Sequence, residues 1–350
     1  MSTSIKVSAE HDYTVVIGES WRQEFSRTKA QYSRNLIFAP SEMKEKLSLN
    51  ELLSADDVVF YLPSGEEAKQ ISTLSSMWDA ASATGIRRSD AIWGIGGGAT
   101  TDVAGFAAAS WLRGVAWHAI PTTLAGMVDA SIGGKTGINS PAGKNLIGAF
   151  HSPSSVIIDI SFLDTLSDRD FAAGLAEVIK SGFISDVEVL KSLKNCTDLT
   201  QARSIATELV SRSVQVKADV VSKDFKESKL REILNYGHTL GHAIEKREDF
   251  KLRHGEAISI GLVFAAELSS LVLGLSPSVV DEHRELLAKF GLPITYVALA
   301  WNELLEMMAS DKKSRSQGIR FIGLADRGKP EWIESVSPDI LRQAYERICS

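Results

Sequence analysis

Six short apolar runs punctuate the first half of the chain: YTVVIGE, NLIFAP, DDVVFYLP, DAIWGIGGG, VAWHAIPTT and SSVIIDI. Each is too short for a core helix and is rich in β-branched or aromatic residues, and polar or helix-period stretches separate them. That alternation predicts a parallel α/β sheet. Asp56 to Pro63 reads as strand, PSGEEAK as turn, and Ile71 to Thr84, free of Pro and Gly, as helix. After about Leu163 the strand signals fade. Asp168 to Ile184, Leu199 to Val221 and Gly255 to Leu273 carry apolar residues at helical intervals, so the second half reads as mainly helical. The stretch SFLDTLSDRDF offers Ser and Asp as caps for a helix start. The expected division is therefore an α/β domain over residues 1–160 and a helical domain over 161–350. Ile319 to Leu324 reads as a late hairpin or edge strand.

A chain of 350 residues can bury two sizeable cores. Its net charge of -6 argues against holding nucleic acid or an anionic membrane by bulk electrostatics, so anions must meet local clusters. Cys196 and Cys349 stand far apart without metal-type spacing, as expected in a reduced compartment. The amino terminus lacks a basic segment followed by an apolar run, and no stretch reads as the ~20 apolar residues of a membrane span. The expected location is the cytoplasm.

Gly94 to Phe106, GIGGGATTDVAGF, follows an apolar run and opens a helix, so its bare amides can face a pyrophosphate or form a tight structural turn. Gly94, Gly96 and Ala99 fit the dinucleotide spacing, but no acid follows at the usual ~20-residue interval. Glu66 and Lys69 of PSGEEAK are candidates for the missing ribose contacts. The run from Asp129 to Phe150, rich in glycine, lets backbone approach a ligand while Lys135 and Lys144 supply charge. That suits a phosphorylated or carboxylated substrate, and the alternative is a flexible surface loop.

His238 and His242 are four apart and share one helical face, and His254 begins the next helix. Neutral imidazoles so spaced hold zinc when a carboxylate completes the set. Spacing alone pairs His238 with His242 and offers Glu245 or Glu256 as the carboxylate. Arg113, Lys180, Lys217, Arg231, Lys312 and Lys313 are scattered, and each taken singly reads as a solvated charge.

Together GGGATTDVAGF, RGVAWHAIPTTLAGMVDASIGGKTGIN, AGKNLIGAFH, GLAEVIKSG, LNYGHTLGHAIE and HGEAISIG resemble the 3-dehydroquinate synthase family, in order from about Pro63 to Leu324. The resemblance implies a modified Rossmann-type NAD domain, a mainly α-helical carboxy-terminal domain, an active site in the cleft between them, and a homodimer. It makes Glu177, His238 and His254 the ligands of one divalent metal, zinc or else cobalt, and moves His242 to the substrate side. It implies that Lys135, Asn145, His242 and one of Lys312 and Lys313 surround a phosphate, joined by Arg113 from a second subunit. Lys217, Arg231 and Asn235 would hold a carboxylate. Asp129, Lys144 and Lys180 would complete the pocket. NAD would meet Glu66, Lys69, Gly96, Gly97, Gly98, Asp102, Thr122 and Thr123.

Ser181 departs from the family's more usual aromatic residue. The first fifty residues do not align, which leaves the acid for the adenosine ribose unassigned. The implied reaction takes 3-deoxy-D-arabino-heptulosonate 7-phosphate to 3-dehydroquinate and phosphate, a shikimate-pathway step on the way to aromatic amino acids. It runs by transient oxidation with NAD, phosphate elimination, re-reduction, ring opening and intramolecular aldol closure. The neighbouring readings are another sugar phosphate cyclase, such as an aminodehydroquinate synthase or a 2-deoxy-scyllo-inosose synthase, and a metal-dependent polyol dehydrogenase. A substrate lacking a carboxylate would have no use for Arg231 and Asn235.

Overall fold

The computed structural model describes residues 2–311 and 319–350, so Lys312 and Lys313 lie outside the described residues. The chain divides into two compact units, Met1–Leu166 with Lys217–Lys226, and Ser167–Val216 with Glu227–Ser350. The first break follows Leu166 rather than residue 160 because the turn Ile160–Thr165 is tied to the first unit: the Phe162 ring packs 5.7 Å from that of Trp21. The return of Lys217–Lys226 to the first unit has no counterpart in the sequence reading.

In the first unit, strands β1 (Thr3–Ser8), β2 (Asp12–Ile17), β3 (Asn35–Pro40), β4 (Val58–Leu62), β5 (Ala91–Gly96), β6 (Ala116–Pro121) and β9 (Ser155–Ile158) form one sheet. Its order is β1-β2-β9-β6-β5-β3-β4, parallel throughout except for the antiparallel β1–β2 pair. The central strands β3 and β5 are buried along their whole length, which is why they read as continuous apolar runs. β3 pairs with β4 on one side and β5 on the other, so the strand order reverses at β3/β5. A crevice outside the carboxyl ends of strands at such a switch point is where doubly wound sheets take their ligands.

The glycine-rich run after Asp129 is not an open loop. It folds into an antiparallel hairpin, β7 (Lys135–Ser140) with β8 (Gly143–Phe150), in which Gly137 faces Gly148.

Among the described residues helices dominate the second unit, beside a small hairpin of β10 (Phe321–Asp326) and β11 (Lys329–Ile333). The expected start near SFLDTLSDRDF is real: Ser167 caps the Asp168–Ile184 helix, its Oγ accepting from the Asp170 amide at 3.1 Å. The long helix His254–Leu273 forms the core, buried from Ala257 through Ser269. By length and composition this helix could cross a membrane, contrary to the sequence reading, but 72% of its apolar window is buried inside the protein.

Candidate metal centre and cofactor cradle

Two features of the second unit bring three side chains from three elements together. The Asp168–Ile184 helix presents Glu177, the His238–Arg247 helix opens on His238, and the His254–Leu273 helix opens on His254. Gly255 seats the last of these directly on the first, and two ion pairs clamp the same end: Arg169 to Glu256 at 2.6 Å and Arg253 to Asp170 at 2.7 Å. Gly237, at φ +79°, turns the chain into His238. A Cβ there would stand 2.8 Å from the Leu262 amide, so the position needs glycine for both shape and space.

Glu177 Oε1 lies 3.4 Å from His238 Nε2 and 3.2 Å from His254 Nε2. The other nitrogen of each ring is engaged behind. Tyr236 O is 3.1 Å from His238 Nδ1, and Glu245 Oε2 is 3.1 Å from His254 Nδ1. A carbonyl only accepts, so His238 carries its proton on Nδ1 and turns the Nε2 lone pair toward Glu177. Lys180 Nζ stands 2.5 Å from Glu177 Oε2, a buried ion pair on one face of the same helix.

Burial opposes the Glu177 charge, but Lys180 and then His238 hold its carboxyl well below the usual range. Burial likewise opposes a charged His254, and Glu177 with Glu245 overrides it, raising that imidazole to about 10. Burial and Lys180 push His238 down.

One carboxylate and two inward imidazoles, their ligand atoms all within 4.8 Å of one another, fit a divalent ion of intermediate softness. A second grouping of His242, Glu245 and His254 meets the same distance limit. The spacing-based choices fare differently. Glu256 is taken up by Arg169 and the Arg253 amide, and Glu245 lies behind His254. The His242 ring, 5.2 Å from that of His238, is exposed. The orienting roles of Glu245 and of the Tyr236 carbonyl were not visible in the sequence, where only the NYGH turn hinted at special backbone.

Arg231 is buried in the turn Leu230–Asn235, and Asn235 Nδ2 donates to Glu227 Oε1 at 3.0 Å. Ser181, the departure from the family pattern, is satisfied by donating to the Val178 carbonyl at 2.7 Å.

In the first unit, β5 runs into Gly97 and the helix Gly98–Ser110, which has no side-chain cap. The Thr100 amide bonds the Gly97 carbonyl at 3.0 Å, which leaves the Gly98 and Ala99 amides as the ones able to meet an anion. None of Gly94, Gly96, Gly97 or Gly98 has positive φ, so these glycines serve space rather than turn shape. A Cβ on Gly96 would meet Thr100 Oγ1 at 2.6 Å and Pro40 Cδ at 3.0 Å, at the β3/β5 switch point. One on Gly98 would meet Ala130 Cβ at 2.9 Å.

Lys69, buried, pairs with Asp102 at 2.5 Å and also donates to Asn145 Oδ1. Asn139, which carries no sequence signal of a role, joins this group by donating to Glu66 at 2.8 Å and accepting from the Asn145 amide at 3.0 Å. Lys144 stands 4.0 Å from Glu66. The cluster thus unites residues expected on NAD (Glu66, Lys69, Asp102) with two expected on substrate (Lys144, Asn145).

Lys217 Nζ binds Asp129 Oδ1 at 2.6 Å. Thr122 is buried near Met43, and Thr123 Oγ1 accepts from the Gly126 amide at 3.1 Å. Lys135 opens β7 and is exposed. Arg113, also exposed, follows Leu112 in left-handed backbone, at φ 66° and 49°.

Two sequence-family models match in tandem: 3-dehydroquinate synthase N-terminal over residues 59–173 and 3-dehydroquinate synthase C-terminal over residues 174–314. A 3-dehydroquinate synthase of Streptomyces avermitilis is 51% identical over 83% of this chain and 81% of its own length. One of Mycolicibacterium vanbaalenii is 43% identical over 99% of this chain and 98% of its own. Among solved structures, a 2-epi-5-epi-valiolone synthase from Streptomyces hygroscopicus with NAD+ and Zn2+ bound superposes with TM-score 0.89 at 25% identity, covering 98% of each chain. A 2-deoxy-scyllo-inosose synthase complexed with carbaglucose-6-phosphate, NAD+ and Co2+ gives 0.87 at 24%, covering 99% of this chain and 100% of its own, a likeness of fold.

Proposed function

This chain belongs to the 3-dehydroquinate synthase family, and from that membership we propose that it converts 3-deoxy-D-arabino-heptulosonate 7-phosphate to 3-dehydroquinate and phosphate as an NAD- and divalent-metal-dependent lyase. The observation that carries the metal reading is Glu177 facing the Nε2 atoms of His238 and His254 while both Nδ1 atoms are engaged behind. Zinc, or alternatively cobalt, suits that donor set. When bound, the metal supplies Lewis acidity toward substrate hydroxyls and NAD a reversible hydride acceptor, so that one turnover leaves the cofactor as it began.

The protein's own residues would position and balance charge. The amides after Gly97 would take the pyrophosphate of NAD, and Glu66, Lys69, Gly96, Asp102, Thr122 and Thr123 would hold the rest of the cofactor. The family membership implies that Lys217, Arg231 and Asn235 would take the substrate carboxylate, for which a buried guanidinium such as Arg231 offers a fixed fork. It likewise implies that Lys135, Asn145 and His242, one of Lys312 and Lys313, and Arg113 of a second subunit would take the phosphate. Asp129, Lys144 and Lys180 complete the pocket, with Lys180 offsetting the charge of Glu177. The working form would be a cytoplasmic homodimer, and the unpaired Cys196 and Cys349 support a reducing location.

Purified protein with zinc, NAD and the heptulosonate phosphate tests the reading. Phosphate and dehydroquinate should appear together without net NADH, whereas stoichiometric NADH would turn the assignment to a polyol dehydrogenase. His254→Ala retaining near-normal turnover with metal still bound would overturn the ligand set.

A further inference from the structure

We propose that Glu245 is a positioning residue that fixes the His254 ring so that its Nε2 points at Glu177; the proposal rests on the metal reading above. Three observations carry it. Glu245 is 4% exposed and sits seven residues after His238 on the same helix, so it shares the inward face with that ligand. Its Oε2 is 3.1 Å from His254 Nδ1, while Nε2 of the same ring is 3.2 Å from Glu177 Oε1. Engaged from behind, the ring has one nitrogen left for an ion.

The third observation is the connection that delivers His254. Between the two helices, Asp249 and Phe250 both adopt left-handed backbone, at φ 49° and 57°, and the Phe250 amide donates back to the Glu245 carbonyl at 2.8 Å. Two consecutive non-glycine residues in that region are costly and persist only where the surroundings dictate them. Here the sharp return brings His254 against Glu245. His238 is held differently, by the backbone carbonyl of Tyr236, so of the two orienting groups only Glu245 can be removed by substitution.

A carboxylate behind a ligating imidazole sets its tautomer and raises its basicity, and losing such a partner weakens metal affinity roughly 10–100-fold. The test is titration of metal-free protein with Co2+, following d–d absorption and affinity against a chelator, beside the melting temperature without metal. E245A should bind Co2+ roughly 10–100-fold more weakly with an altered spectrum. E245Q, which keeps an acceptor oxygen, should recover most of the affinity. Should E245A not fold, E245M fills the space without an acceptor and carries the same expectation.

Wild-type affinity and spectrum in the acceptor-less variant would overturn the proposal. So would binding that survives E177A but not E245A, since Glu245 would then be a ligand with His242 and His254. A wild-type protein that takes up neither Co2+ nor Zn2+ would instead overturn the metal reading itself.

Discussion

The Cβ that Gly255 lacks would fall 1.8 Å from the carbonyl oxygen of Ala173. No side chain fits that contact, and it lies one residue from His254 and one helical turn from Glu177. Gly255→Ala must force the two helices apart, at a cost of about 1–3 kcal/mol for overpacking. Denaturant unfolding of metal-free protein should report that loss. A Co2+ titration should show a larger penalty than E245Q, because the whole helix end moves rather than one ring.

Metal uptake should release protons. Without metal, His254 is raised to about 10 by its two carboxylates against burial, so it is charged near pH 7.5 and must become neutral to bind an ion. Affinity should therefore climb with pH until about pH 10. In the metal-free protein the sign for stability is opposite: the His254 contribution is complete below the unfolded histidine value of about 6.5 and is lost as pH rises through 10. Calorimetry in buffers of different ionisation enthalpy should count the released protons, and an uptake that is independent of buffer would contradict the geometry.

The first unit carries its own acid-sensitive pair. Lys29 binds Asp57 at 2.6 Å with both side chains buried, and Asn35 donates to the second carboxylate oxygen at 2.8 Å while accepting from Trp93 Nε1 at 2.9 Å. Burial raises the Asp57 pKa, but Lys29, the Ser54 amide and Asn35 outweigh it, so the value is lowered. Its stabilisation is present above the unfolded value of about 3.9 and disappears as pH falls through the folded one. Asp57→Ala should cost about 3–5 kcal/mol at neutral pH by leaving the buried Lys29 charge with only the Ser54 hydroxyl as acceptor, and should flatten the acid limb of the stability curve.

Gly98→Ala separates packing from ligand approach. Its Cβ would meet only Ala130 Cβ, at 2.9 Å. Adding Ala130→Gly should restore the stability lost in the single variant. NAD affinity, read by titration, should stay reduced in the double variant, because a methyl group then stands beside the first helix amides. Full recovery of affinity would mean that the glycine serves the fold alone.

How far the sequence could be read follows from the range of each interaction. β2 to β6 and β9, and the Ile71–Thr84 and Asp168–Ile184 helices, announce themselves because burial imposes a period on contiguous residues. β1 escapes notice since only Ile5 and Val7 of TSIKVS are buried. β8 escapes because Leu146 and Ile147 are exposed and the strand is held by backbone pairing to β7. Glu177 could not be joined to His238 and His254 by spacing. It sits on a distant helix, and the close approach at Gly255 has no periodic signature, so only the family resemblance carried the assignment. The pairing of Lys69 with Asp102 and Asn145 is hidden for the same reason.

The segment Lys217–Lys226 belongs to the first unit although it follows fifty residues of the second. Within that unit Lys217 grips Asp129, Ser222 accepts from the Ser8 amide at 3.0 Å, and the Phe225 ring lies 5.4 Å from that of Phe150. Neither unit is therefore inherited as one uninterrupted stretch of gene. A chimera joined near residue 166 to the remainder of a relative would import a foreign patch into its own sheet-bearing half. Viable exchange needs a second pair of crossovers around 217 and 226, and natural recombination faces the same two-junction requirement.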